Sequence, residues 1–423
     1  MATDKQLEST GAALAHQKEW FANLRRDVFD QKKPYAIAQA DMPLELFQVM
    51  DVPVISNQWW SAVVAAKQQS GYFLDALNAL GYHENLCRYC SLSLASCIAG
   101  DPSKAPWGGL PKPAVLSARL TCDCIQRVFE TWAASFGAEF VALDSAGATN
   151  LPPRWWELSR YRWQELFEPH RLDLMTAQMR VLIQTLEEKT GRKFSETRLL
   201  ELMEGVNRQE EYFDEVRQLI CTAPQTPVRM NEQIINVMTT QWHRGSEWAV
   251  SHARAFRDEV KHRMDAGIAA YPGEKLRLMW VGAGLWHDTS FYTDFEASHG
   301  AVFVWSMYLA FGPDGYIRYG LDDPMRALAS RVVSMNEQLH NPPWANEWIV
   351  EQAKRHRIDG AVVLVPQGSR PSVTGTYFIE RALEQAGIPT LEIWADMVDG
   401  RQWDAAAMRQ RVAQFIDTRV KPV

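Results

Sequence analysis

No stretch of about eighteen apolar residues occurs in this 423-residue chain, so no membrane-spanning helix is expected. A large excess of either charge is absent too. The 44 Lys and Arg stand against 51 Asp and Glu, and a net charge of −7 argues against nucleic acid as a main partner. The opening residues, Met1-Ala-Thr-Asp-Lys-Gln-Leu-Glu8, are polar and mixed in charge, with no apolar signal region. A cytoplasmic protein with reduced thiols is therefore expected. Cysteine is scarce at six residues, but its placement is uneven. Cys87, Cys90, Cys97, Cys122 and Cys124 fall within residues 84–132, and Cys221 stands alone.

What is present is a folded, water-soluble composition, 47% hydrophobic and 22% charged. The length calls for two or three domains. The order of periodic segments predicts an α/β fold, with two Rossmann-like (flavodoxin-like) parallel-sheet domains and a helical middle domain. The expected boundaries are a helical arm at 1–33, a first α/β domain at 34–153, a helical domain at 154–270 and a second α/β domain at 271–423. Pro34–Ala40 and Asp51–Asn57 read as strands around a helix opened by Pro43, with Glu45 placed to cap it. Strand, helix, strand at this rhythm means parallel pairing. Residues 84–98 read as a helix, 114–120 as a strand, and Ile125, Val128, Phe129 and Trp132 mark the next helix. In the long middle segment, Leu172, Met175, Met179, Leu182, Ile183 and Leu186 recur at helical spacing. Strands return at 276–281, 301–305, 360–365 and 389–393, and the chain closes on an amphipathic helix.

The sharpest chemical signal is Cys87-x-x-Cys90 with Cys122-x-Cys124. Four thiolates this close suit zinc or an iron–sulfur cluster. Cys122 and Cys124 sit at a strand-to-helix junction, the edge where parallel sheets place ligands, and a helix start favours thiolate over thiol. The opposing reading is that some of these cysteines are buried packing, as Cys97 and Cys221 are expected to be. The 17 Trp, among them Trp59, Trp60 and Trp107, read either as core and interface or as walls of a dry pocket for a flat acyl group. Gly282-Ala-Gly284 follows a strand but lacks the third glycine of a dinucleotide fingerprint, so a turn allowing close approach is favoured. Gln367, Ser369 and Arg370 lie in a Gly-bearing turn before a helix, a place suited to phosphate or carboxylate, or simply a strand–helix turn. His83, Glu84 and His287 are acid/base candidates by position near sheet edges.

Arg88-Tyr-Cys90, Thr121-Cys122-Asp123 and the stretch Gly387–Arg401 together resemble the 2-hydroxyacyl-CoA dehydratase and class I benzoyl-CoA reductase family, over about residues 34–420. Ala105–Pro113 and the wealth of Trp make the chain look more like the B-type subunit of an ATP-dependent benzoyl-CoA reductase. That resemblance implies a subunit of an iron–sulfur enzyme that reduces an aromatic acyl-CoA one electron at a time, to a cyclic dienoyl-CoA. The alternatives are a dehydratase subunit that expels water from a 2-hydroxyacyl-CoA, and a non-catalytic zinc or scaffold subunit. It further implies a 4Fe-4S cluster, a CoA thioester substrate, a homologous second catalytic subunit, an ATP-hydrolysing iron–sulfur activator, and ferredoxin as electron source. By the same resemblance Cys90 and Cys122 match the first two cluster cysteines, while Ser369 stands where a third is expected. Cys87 or Cys124 would then supply the missing thiolate, or Ser369 ligates through oxygen, or the cluster is altered or absent.

Overall fold

A computed structural model describes residues 6–83, 86–147, 150–340, 342–369 and 375–421, the side chains of 336–340 excepted. Two four-stranded sheets, each parallel throughout, form the frame. In the first, β1 (Ala36–Ala38), β2 (Val54–Ser56), β3 (Val115–Arg119) and β4 (Glu139–Leu143) run in the order β2-β1-β3-β4. In the second, β5 (Leu276–Val281), β6 (Ala301–Ser306), β7 (Gly360–Pro366) and β8 (Thr390–Ala395) run in the order β6-β5-β7-β8. The topology is the same twice. Each sheet reverses direction of growth beside its first strand, between β1 and β3 and between β5 and β7. Crevices at such points are where open α/β sheets hold ligands.

The strands β3, β5, β6 and β7 are buried along their whole length, which is why they read as near-continuous apolar runs. The first sheet carries α2 (Leu44–Val49), α3 (Asn57–Ala66), α4 (Ser70–Ala79), α5 (Arg88–Ile98) and α6 (Asp123–Phe136). On α6 the residues Ile125, Val128, Phe129 and Trp132 form the buried stripe, and Gly137 ends the helix in a left-handed conformation at φ 62°. Helix α1 (Glu8–Arg25) lies across the helical segment, where Ser9 and the backbone of Glu8 hydrogen-bond Glu259.

From Trp155 to Asp265 the described residues hold helices and no strand: α7 (Trp155–Tyr161), α8 (Trp163–Leu166), α9 (Pro169–Thr190), α10 (Glu196–Thr222), α11 (Met230–Gln241) and α12 (Glu247–Asp265). Leu172, Met175, Met179, Leu182, Ile183 and Leu186 are the buried face of α9, as their spacing requires. At one crossing α10 meets the turn before α12 with no room for a side chain. A Cβ on Gly205 would strike the carbonyl oxygen of Gly245. The second sheet is covered by α13 (Glu296–His299), α14 (Met307–Tyr316), α16 (Trp344–Arg355), α17 (Thr376–Gln385) and α18 (Ala405–Arg419), while α15 (Pro324–His340) packs against α9 and the core of the first lobe.

Two local expectations fail here. Pro43 precedes α2 rather than opening it. Glu45 does not cap the helix. It is buried, because Arg244 and Arg331 reach it from distant parts of the chain: Arg244 Nε and Nη2 lie 3.1 and 3.2 Å from its two oxygens.

Candidate active site

The cysteines converge because the starts of two helices, α5 after α4 and α6 after β3, face each other. Helix α5 begins at Arg88, so Cys87 sits at the cap position and Cys90 in the first turn, where the Cys90 amide donates to the Cys87 carbonyl at 3.1 Å. Cys122 occupies the extended cap position of α6 and Cys124 its first turn. The Sγ atoms of Cys87, Cys90 and Cys124 all lie within 4.8 Å of one another. Cys122 joins through a hydrogen bond with Cys90. The protons are divided unevenly. A hydrogen bond from Cys87, then one from Cys90, draws the Cys124 thiol down to about 4. A hydrogen bond from Cys90 lowers Cys122 likewise. Cys87, giving its hydrogen bond to Cys124, is pushed up to about 11, and Cys90 rises well above its ordinary value through its bonds to Cys122 and Cys124. Two sulfurs thus favour the thiolate while two retain protons that a soft cation can displace. The donor set fits zinc or an iron–sulfur cluster, and Cys87, Cys90, Cys122 and Cys124 are the residues that would hold it. Cys97 is elsewhere, its thiol pushed up to about 11 by burial, and Cys221 is raised by burial on α10.

Beside the thiols lies a cavity of about 290 Å³. All four switch-point turns line it: Gln39, Ala40 and Asp41 after β1, Thr121 and Cys122 after β3, Gly282 and Ala283 after β5, and Ser369 after β7. Gly282 adopts φ +104° and an added Cβ would sit 2.9 Å from the Leu364 carbonyl oxygen, so the Gly-x-Gly serves a close backbone approach. Met238, Trp242, Val281, Met307, Phe311 and Ile379 supply apolar wall. Tyr89, Tyr308 and Tyr316 bring phenols, each held protonated chiefly by burial, for Tyr316 against the pull of the Arg244 charge. Arg244 closes the back. Its guanidinium grips Glu45 with two hydrogen bonds, and its Nη1 donates to the Gln241 carbonyl and the Tyr316 hydroxyl, both at 3.3 Å.

The stretch 387–401 does a structural job here. Arg88, at the start of α5, pairs with Asp396 at 3.2 Å and Asp399 at 3.4 Å, and Arg401 bridges Asp399 to Asp75. This ties the cysteine-bearing helix to the end of β8.

The other sequence candidates scatter. Ser369 is buried and lines the cavity, whereas Gln367 is exposed, its amide spent on the Ala395 carbonyl at 3.1 Å. Arg370 and Glu84 lie outside the described residues. Trp59, Trp60 and Trp107 do not line the cavity. They pack against α1, with Phe21 stacked on Trp107 at 4.4 Å, Trp20 edge-on to Trp59 at 4.9 Å, and Trp60 Nε1 donating to Ser96 Oγ. Their bulk fills the gap between α1 and α3, which is the core reading. His287 is also away from the cavity. It contacts the Asp396 carbonyl at 3.0 Å, and burial lowers its basicity. His83 sits in a small cleft with Arg88 and Arg401. Position near a sheet edge selected His83 and His287, neither of which lines the cavity. Asp41, Tyr89, Tyr308 and Arg244, which do line it, were not singled out in the sequence, and for Asp41 the signal was its place in the turn after β1.

Two lobes of repeated parallel topology, with a cavity at their switch points and thiols beside it that could hold a metal ion, define the chain as an α/β protein with a cleft at its sheet edges. The sequence comparisons narrow that class. Residues 39–418 match the family described as 2-hydroxyglutaryl-CoA dehydratase, D-component, and the chain belongs to that family. It is similar to the alpha subunit of (R)-phenyllactyl-CoA dehydratase of Clostridium sporogenes, 21% identical over 385 residues, covering 88% of this chain and 86% of that one. It is similar as well to the (R)-2-hydroxyisocaproyl-CoA dehydratase alpha subunit of Clostridioides difficile, at 20% over 398 residues and 92% and 90% coverage. The alpha subunit of lactoyl-CoA dehydratase of Anaerotignum propionicum is 20% identical over 391 residues, with 89% and 88% coverage. These relatives are dehydratase subunits, so the dehydratase alternative replaces the benzoyl-CoA reductase as the main reading. No helix among the described residues is long and apolar enough to cross a membrane.

Proposed function

We propose that the chain is the alpha-type subunit of a 2-hydroxyacyl-CoA dehydratase. The observation that carries the reading is the meeting of four cysteines and both sheet switch points at one apolar cavity, in a chain of this family. Cys87, Cys90, Cys122 and Cys124 hold a 4Fe-4S cluster, which when bound supplies one-electron chemistry at low potential. The acyl-CoA enters the cavity with its thioester among the phenols. Tyr308 and Tyr89 keep their protons, so each offers a hydrogen bond to a carbonyl oxygen as charge builds there. Met307, Phe311 and Ile379 exclude water from that oxygen, which strengthens the hydrogen bonds it receives. Arg244 leaves Tyr316 fixed in the back wall, because its own charge is held by Glu45.

A related second catalytic subunit, an ATP-hydrolysing iron–sulfur activator and ferredoxin complete the proposed system. The test is anaerobic purification with partners, followed by iron and zinc analysis and turnover. Brown protein with iron, acting on (R)-phenyllactyl-CoA, (R)-2-hydroxyisocaproyl-CoA or lactoyl-CoA, supports the reading. Zinc without iron makes the thiols a closed structural site. Turnover of benzoyl-CoA instead returns the reductase.

A further inference from the structure

Elimination of water from a 2-hydroxyacyl chain requires that a proton leave C3, and so requires an acceptor beside the acyl group. The described residues that line the cavity include no histidine, no lysine and a single carboxylate, Asp41. The one guanidinium among them, Arg244, is bound to Glu45. The thiols belong to the proposed metal centre, and the phenols are held in their protonated form.

Asp41 is also held in place. It stands in the turn directly after β1, at the switch point of the first sheet. Gln39 Nε2 donates to Asp41 Oδ2 at 2.8 Å and to Thr121 Oγ1 at 3.2 Å. Gln39 Oε1 in turn accepts from the buried Arg119 amide at 2.8 Å, and its own amide is bonded to the Ser117 carbonyl at 2.9 Å. The clamp is thus anchored in the strand ladder, which leaves the carboxylate little freedom. Asp41 lines the same cavity as the phenols of Tyr89, Tyr308 and Tyr316.

We infer that Asp41 is the catalytic base that takes the C3 proton, with Gln39 as its positioning residue. This rests on the dehydratase reading. The C3–H bond breaks and its proton passes to the Asp41 carboxylate, while its electron pair forms the C2–C3 double bond. The C2–O bond breaks, and the hydroxyl departs as water by taking a proton, which Asp41 returns. The elimination is redox-neutral overall: an electron lent at the start by a low-potential iron–sulfur donor is recovered at the end. Asp41 regains its starting state.

The test uses the complete complex carrying Asp41→Asn or Asp41→Glu, assayed with (R)-phenyllactyl-CoA, (R)-2-hydroxyisocaproyl-CoA and lactoyl-CoA, unlabelled and deuterated at C3. Removal of a general base lowers kcat by about 10²–10⁴-fold. KM should stay within about threefold, since the lost interaction acts in the transition state. The C3 deuterium effect on kcat should rise, iron content should hold, and Asp41→Glu should recover part of the rate. A kcat kept within about threefold, a change in KM alone, or metal lost along with activity overturns the assignment. If Asp41→Asn does not fold, the rate and isotope effect of Asp41→Glu decide: both unchanged from wild type would also overturn it. Wild-type complex that turns over none of the three substrates refutes the dehydratase reading and this inference with it. Wild-type turnover matched by the variant refutes Asp41 alone.

Discussion

Glu210 offers the most quantitative test of the interior. It lies fully buried on α10, behind the cavity wall formed by Gln241 and Arg244. Gln209 Nε2 and Gln241 Nε2 donate to its Oε1 at 2.9 and 3.0 Å, while its Oε2, packed against Gly312, has no hydrogen-bond partner among the described residues. Burial pushes the carboxyl up to about 7, against the pull of Gln241 and Arg244. An acid that is harder to ionise folded than unfolded stabilises the fold fully below its unfolded value, and that contribution is lost as the pH climbs to the folded one. The window therefore runs from the ordinary 4.5 to about 7. Across it the group removes about 3 kcal/mol of stability, at roughly 1.4 kcal/mol per pH unit. Glu210→Gln keeps the shape and cannot ionise. Denaturant unfolding followed by tryptophan fluorescence should give wild type and variant alike at pH 4.5, with the variant more stable by about 3 kcal/mol at pH 8. Parallel pH profiles, or a variant weaker at pH 8 than at pH 4.5 relative to wild type, would refute the reasoning.

Other substitutions probe the metal centre and the packing. Cys90→Ala and Cys122→Ala should each abolish bound iron, whereas Ser369→Ala and Cys97→Ser should retain it, all read by metal analysis of anaerobic protein. Loss of iron in Ser369→Ala would instead make that oxygen a ligand. Glu45→Gln leaves Arg244 and Arg331 buried without their carboxylate, and should lower unfolding free energy by about 3–5 kcal/mol. Gly205→Ala drives a methyl into the Gly245 carbonyl, a backbone atom that cannot swing aside, and should cost about 1–3 kcal/mol in spite of the better helix propensity of alanine.

Much of the frame was legible because it rests on local pattern. The apolar runs at 276–281, 301–306 and 360–366 are buried strands with both faces covered, and such runs advertise themselves. Cys87 and Cys90 met Cys122 and Cys124 because each pair sits at a helix start, and both starts lie on one sheet edge. What stayed hidden depends on distance along the chain. Nothing near Glu45 announces Arg244 or Arg331, so a buried ion-pair knot looked like a helix cap. Trp59 and Trp107 could not be told from cavity walls, because an indole suits a packed interface as well as a ligand. Asp41 lies in no motif, and only the strand order shows that its turn and the Ser369 turn open onto the same space.

The Glu45 knot has a consequence for how the chain is born. The carboxylate leaves the ribosome with the first lobe, but Arg244 follows 199 residues later and Arg331 286 residues later. At roughly 5–20 residues per second, the wait for Arg331 is roughly 15–60 s. Until both arginines arrive, the nascent first lobe must keep that carboxylate wet or protonated, and the wall behind the cavity cannot close. Nascent chains arrested before residue 331 should therefore remain sensitive to protease around α2, and released full-length chains should not.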